Sequence, residues 1–271
     1  MPAEKTRPRA IPDLAAWKQD GRKLAMLTCY DALFARLLEA SGVDLLLVGD
    51  SLHQVLGGHE TTLGATLDAM IYHAAAVRRG ARETLVFIDL PFLTYQVSVA
   101  EAVRNAGRAM QEANVHGVKL EGGRHMAPTI HALTDVGIPV MAHLGLTPQS
   151  VHQLGGYRVQ GRDQEGAERL LADARAVEEA GACAVVLELV PSKVAKKVTA
   201  AVGIPTIGIG AGPHCDGQVL VLHDMLGLNE GFDPKFLKKY GALAGATKDA
   251  VRQYVAEVRA GKFPDAGHSF E

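Results

Sequence analysis

Five short apolar runs each end on an ionisable side chain. Leu45-Leu46-Leu47-Val48-Gly49 leads into Asp50, Leu85-Val86-Phe87-Ile88 into Asp89, Val118-Lys119-Leu120 into Glu121, Val140-Met141-Ala142 into His143, and Val185-Val186-Leu187 into Glu188. Burial alone gives no reason for that recurrence. Any one carboxylate in such a place could cap the helix that follows it. Asp50, Asp89 and Glu121 gathered at one mouth would repel one another unless a cation sat between them. All-oxygen donors suit a hard ion, and a few carboxylates completed by water and substrate oxygens suit Mg²⁺. These three residues are therefore the candidate metal ligands.

Three further residues could work beside that ion. Lys119 lies two positions before Glu121 and so shares its strand face. A lysine inside an apolar strand needs a partner, either Glu121 or a substrate carboxylate. Glu188, between Leu187 and Leu189, has surroundings that raise a carboxyl pKa toward neutrality, as a proton-transfer group requires. It is also open to the plainer reading of a buried carboxyl satisfied by backbone donors. His143 is expected to bind or orient substrate, or simply to be a hydrogen-bonded wall residue. The polar segment Thr147 to Gln164 reads as a lid or binding loop, or as surface padding. The Gly208-Ile209-Gly210-Ala211-Gly212 run lacks dinucleotide-fingerprint spacing and fits either a phosphate or a close backbone approach.

Such side chains converge only if the runs are neighbouring strands. Apolar runs of strand length occur at Leu24–Asp31, Leu45–Asp50, Leu85–Asp89, Val118–Glu121, Val140–His143, Ala184–Val190, Thr206–Gly210 and Gln218–Asp224. Amphipathic segments such as Val99 to Asn114 and Glu165 to Ala180 lie between most of them. Strands apolar on both faces, joined by crossover helices, mean a parallel sheet covered by helices. Eight of them in this length predict an α/β protein, a closed (β/α)8 barrel, with an open doubly wound sheet as the alternative. Ala211 to Gly217 is too short for a helix. Residues 1–22 read as an N-terminal extension with a short helix near Pro12–Lys18, and a terminal helix is predicted from Ala246 to Arg259. A single domain is expected over residues 1–271.

Composition narrows the partners. The 271 residues are 48% hydrophobic and carry 28 Lys+Arg against 30 Asp+Glu, a formal charge of −2. That balance argues against nucleic-acid binding by counterion release. No apolar run approaches the roughly 20 residues of a membrane span, and the charged N-terminus does not read as a secretory signal. Cys29, Cys183 and Cys215 match neither a disulfide framework nor a zinc motif. A cytoplasmic protein of small-molecule chemistry is expected.

Several stretches resemble the ketopantoate hydroxymethyltransferase family: Met26-Leu27-Thr28-Cys29-Tyr30-Asp31, Val48-Gly49-Asp50-Ser51-Leu52, Asp89-Leu90-Pro91-Phe92 and Val118-Lys119-Leu120-Glu121-Gly122. The long runs Pro139 to Gly156 and Gly203 to Gly227 are the most specific. Cys29, where alanine is expected, and Leu52-His53-Gln54 depart from the pattern. The resemblance implies a (β/α)8 barrel that transfers a hydroxymethyl group from 5,10-methylenetetrahydrofolate to 3-methyl-2-oxobutanoate through a Mg²⁺-stabilised enolate, giving 2-dehydropantoate for pantothenate and coenzyme A. It implies Asp50, Asp89 and Glu121 at the Mg²⁺ site. Asp50, Ser51, Asp89 and Lys119 would contact the 2-oxo acid, Glu188 would accept the proton, and the assembly would be a homo-oligomer, a decamer. Two alternatives use the same residues differently. One is a Mg²⁺-dependent carbon–carbon lyase (aldolase) of 2-oxo acids, and the other a noncatalytic barrel whose carboxylates are caps.

Overall fold

A computed structural model describes residues 9–270. Eight parallel strands close into a barrel in chain order: β1 (Leu24–Thr28), β2 (Leu45–Val48), β3 (Leu85–Asp89), β4 (Gly117–Glu121), β5 (Val140–Gly145), β6 (Ala184–Glu188), β7 (Thr206–Ile209) and β8 (Gly217–Leu220). The closed barrel, not the open sheet, is the architecture, with β8 pairing back onto β1 from Leu24↔Gly217 to Leu27↔Leu220. Strands β2, β3 and β4 are buried at every residue, as their unbroken apolar runs require. β1 and β8 instead alternate, exposing Ala25 and Gln218.

Helix α1 (Asp13–Gln19) precedes the barrel, and α2 (Ala32–Ala40), α3 (Leu67–Gly80), α4 (Val99–Ala113), α5 (Ala127–Asp135), α6 (Gln164–Glu179) and α7 (Ser192–Ala201) follow β1 to β6 in turn. Their starts are written in the sequence. Asp31, Thr66, Ser98 and Asp163 each accept a backbone N–H from the first turn of the helix they precede. Asp50, Asp89 and Glu121 do not serve this purpose. Between β7 and β8 the chain makes only turns.

The N-terminal segment is more than an extension. Leu14 joins a core of Leu24, Met26, Leu45, Leu85 and Phe87, with Ile11 and Trp17 packed against it. Most of these residues begin their strands, so α1 closes the end of the barrel opposite the strand C-termini. Lys18 Nζ fixes it there, donating to the carbonyls of Thr199 and Ile204 at 2.9 Å each and pairing with Asp216 at 3.0 Å.

Two compact units divide the chain after Val221. The expected run of β8 to Asp224 is corrected here: the strand stops at Leu220, and Leu222–Met225 is a helical turn of the second unit. That unit carries α8 (Leu243–Arg259), which starts three residues earlier than expected and buries none of its residues.

Candidate active site at the strand C-termini

The strands bring the six ionisable candidates together at one end of the barrel. Asp89 lies in register with Lys119, and Glu121 with His143. Gly145, two residues beyond His143, is opposite Glu188. His143 does not end its strand as expected, since β5 continues to Gly145, but the register keeps it beside Glu121.

Lys119 chooses a different partner from the one its own strand offers. Its Nζ donates to Asp89 Oδ1 at 2.5 Å, an ion pair with both side chains almost wholly buried. The cross-strand neighbour is directly alongside, whereas Glu121 lies two residues further along the same strand. Burial alone would depress the Lys119 pKa, but Asp89, Glu121 and Asp50 outweigh it and hold the ammonium above its ordinary range. Asp89 Oδ2 accepts the backbone N–H of Asp50 at 3.0 Å. A β-carbon at position 49 would stand 2.8 Å from Ser51 Oγ, so Gly49 leaves room for that hydroxyl. The Ser51 hydroxyl itself turns to the Tyr30 hydroxyl, 2.9 Å away.

The cluster is short of positive charge. Burial, then the charges of Asp89 and Glu121, push the Asp50 carboxyl up to about 7. His143 is completely enclosed, with Nδ1 3.5 Å from Glu121 Oε1 and Nε2 3.3 Å from Glu188 Oε2, yet it makes a well-formed hydrogen bond to neither. Burial and Lys119 lower its pKa, the two carboxylates raise it, and the imidazole ends at about 9. Glu188 forms the open edge, its side chain 17% exposed against 3% for Asp89. Its expected wholly apolar surroundings are therefore only partly realised.

The donor set fits a hard cation. Three buried carboxylates share one lysine, and a fourth carboxylate shares the histidine with Glu121. Among the described residues no three His, Cys, Asp or Glu side chains form a ready-made cage. A cation held here would need water or substrate oxygens to complete its shell.

Three residues of the cluster escaped the sequence reading. Gln149, buried in the single-turn 3₁₀ segment Pro148–Ser150, donates from its backbone N–H to Glu121 Oε2 and from Nε2 to Asp50 Oδ2, each at 3.0 Å. Tyr95 donates its hydroxyl to Gln149 Oε1 at 2.7 Å and accepts the Glu121 backbone N–H at 3.1 Å. Tyr30 supports Ser51. A buried aromatic in a polar loop was the available signal for Tyr95; Gln149 had only its place in the suspected binding loop. That loop reaches the mouth again at Tyr157, whose hydroxyl accepts from Gln54 Nε2 at 3.3 Å. Cys29 is inert by contrast, its buried thiol pushed up to about 12.

A closed parallel barrel whose strand C-termini converge on buried, mutually perturbing acids and bases defines an enzyme of the (β/α)8 class. The ketopantoate hydroxymethyltransferase family model matches residues 9–266. A 3-methyl-2-oxobutanoate hydroxymethyltransferase of Pelobacter propionicus is 56% identical over 260 residues, 96% of each chain. Its counterpart from Geobacter metallireducens is 53% identical over 264 residues, 97% of this chain and 99% of that one. Among solved structures, phosphonopyruvate hydrolase in complex with oxalate and Mg²⁺ shares the fold with a TM-score of 0.62 at 13% identity, covering 96% of this chain and 91% of that one. The chain belongs to the ketopantoate hydroxymethyltransferase family, which makes it a hydroxymethyltransferase of pantothenate biosynthesis.

Proposed function

We propose that the enzyme moves a hydroxymethyl group from 5,10-methylenetetrahydrofolate to 3-methyl-2-oxobutanoate, with Mg²⁺ bound through Asp50, Asp89 and Glu121. The observation that carries this reading is the cluster itself: three buried carboxylates around Lys119, flanked by His143 and the more open Glu188. The relatives' names supply the keto acid. The family match favours transfer over the lyase alternative, and the failure of Asp50, Asp89 and Glu121 to cap helices speaks against a noncatalytic barrel.

When bound, Mg²⁺ supplies a Lewis acid for the ketone and carboxylate oxygens of the substrate. Lys119 adds fixed positive charge near those oxygens, and Asp50, Ser51, Asp89 and His143 line the keto-acid subsite. Glu188 accepts the C3 proton, with protonated His143 holding its carboxylate in place. Water supplies the hydroxyl oxygen: it adds to the methylene carbon, both methylene–nitrogen bonds break and tetrahydrofolate leaves, and C3 bonds to the resulting formaldehyde-level carbon, whose oxygen takes up a proton. We further propose a homo-oligomer, a decamer, acting in the cytoplasm. Exposed Leu33 and Leu37 on α2 and Tyr72 on α3 support a self-association surface. No described helix is long and apolar enough to cross a membrane.

Proton NMR of 3-methyl-2-oxobutanoate in D₂O tests the chemistry. Wild-type enzyme with Mg²⁺ should erase the C3 proton signal, chelator should stop the exchange, and Glu188→Gln should bind the keto acid without exchanging it. If folded Glu188→Gln exchanges at the wild-type rate, Glu188 is not the base. Formation of 2-dehydropantoate only when methylenetetrahydrofolate is added identifies the donor; formation without it rejects the folate reading.

A further inference from the structure

The ionisable cluster fills only part of the barrel mouth. On β7, Ile207 belongs to the barrel core and Ile209 packs against that same core. Residues two apart on a strand share a face, so Ile209 points into the barrel one layer above Ile207. Gly208 between them faces the other way, since a β-carbon there would stand 3.2 Å from the side chain of Gln218, on the exposed face of β8. Ile209 is the last residue of β7 and lies in register with Glu188. The rest of β7 is buried, whereas Ile209 is only half-buried. An apolar side chain therefore stands partly open beside the residue proposed to take the C3 proton.

That placement matters for a substrate with a polar end and a branched apolar end. On the reading above, the keto-acid oxygens go to the acids and the lysine carried at the ends of β2, β3 and β4, and the C3–H goes to Glu188 on β6. The two methyl groups share C3 with that hydrogen and so also lie near Glu188. On one side of Glu188 stands β5 with His143, whose ring faces the carboxylates of Glu121 and Glu188. On the other stands β7 with Ile209. Alkyl groups gain by leaving water for apolar surface, and stripping water from a charged group is costly. We propose that Ile209 is a specificity-determining residue whose side chain walls the alkyl end of the 2-oxo acid, turns its C3–H toward Glu188 and limits the bulk accepted at C3. This inference rests on the chemistry proposed above and concerns which 2-oxo acids that chemistry admits.

Proton NMR in D₂O with Mg²⁺ tests it, comparing C3 exchange of 3-methyl-2-oxobutanoate with that of 3-methyl-2-oxopentanoate, which is one methylene larger. Ile209→Ala opens the wall. The wild-type preference for the smaller acid, read as the ratio of the two kcat/KM values for exchange, should fall about tenfold or more, within the roughly 10- to 200-fold that one methylene in an apolar pocket controls. A merely structural role would slow both acids alike, so an unchanged ratio in the folded variant overturns the proposal. Equal exchange of the two acids by wild-type enzyme overturns it as well. Should Ile209→Ala fail to fold, Ile209→Val carries the test, because it removes a single methylene and keeps the branch at the β-carbon. A lowered preference in that variant supports the proposal, and a wild-type ratio overturns it. Wild-type enzyme that exchanges neither acid overturns the proposed chemistry itself, and this inference with it.

Discussion

Replacing Lys119 by methionine removes the one lysine among the mouth carboxylates while conserving most of the side-chain volume. The Lys119–Asp89 pair has only 5% and 3% of its side chains exposed, so Asp89 would keep a buried charge with no counterion. Breaking a buried pair from one side costs about 3–5 kcal/mol. Asp50, already raised to about 7, sets the pH dependence. A carboxyl whose folded pKa is raised stabilises fully below its unfolded value near 3.8 and loses that contribution as pH rises through 7. The deficit of Lys119→Met should therefore lie near the low end of that range at pH 6, where Asp50 takes up a proton, and grow toward pH 8.5. For a chain of this size about 3 kcal/mol corresponds to a Tm lower by roughly 6 °C. Guanidinium unfolding followed by far-UV circular dichroism in EDTA would measure it. Mg²⁺ at 100 times its Kd should restore about 2.7 kcal/mol. Asp89→Asn should cost less, since it removes a repelling charge and leaves Lys119 near Asp50 and Glu121. A metal-free Lys119→Met as stable as wild type at pH 8, or Asp89→Asn the worse of the two, would refute the charge argument.

Two other residues carry independent expectations. His116 Nδ1 accepts the Val86 N–H at 3.0 Å, and burial with nearby Arg78 lowers its pKa from 6.5 to about 4. Its depressed value adds stability that is complete above pH 6.5 and lost as pH falls through 4, about 1–2 kcal/mol once solvent screening of this part-exposed ring is allowed for. Subtracting the pH–stability curve of His116→Gln from that of wild type should isolate the loss, and parallel curves would contradict it. Gly145 sits at φ +92, and a β-carbon there would run into the Glu188 carbonyl oxygen. Gly145→Ala should cost at least about 2 kcal/mol and lower kcat more than it raises KM for the keto acid, because it shifts the strand end bearing Glu188. Wild-type Tm together with wild-type kcat would show that this close approach is dispensable.

Much of the barrel was legible because its signals are local. Apolar runs of strand length, helical spacing between them and caps such as Asp31 and Asp163 act within a few residues. Even so, the apolar pattern runs past the end of β8, since Leu222 and Met225 continue it in a helical turn that satisfies it as well as a strand would. A sheet covered on both faces is what the apolar runs predict, yet Ala25 on β1 and Gln218 on β8 are exposed.

The linear chain by itself determined the residue types at the strand ends, the family and the parallel architecture, because strand-end position and periodicity are properties of neighbouring residues. Only tertiary structure decided the pairings. Lys119 goes to Asp89 rather than Glu121 because barrel register places β3 alongside β4. His143 spans Glu121 and Glu188 because three strands close side by side. Gln149, 99 residues from Asp50 in the chain, enters the site because a loop folds over the mouth. Such contacts depend on distance in space, and no spacing along the chain encodes them.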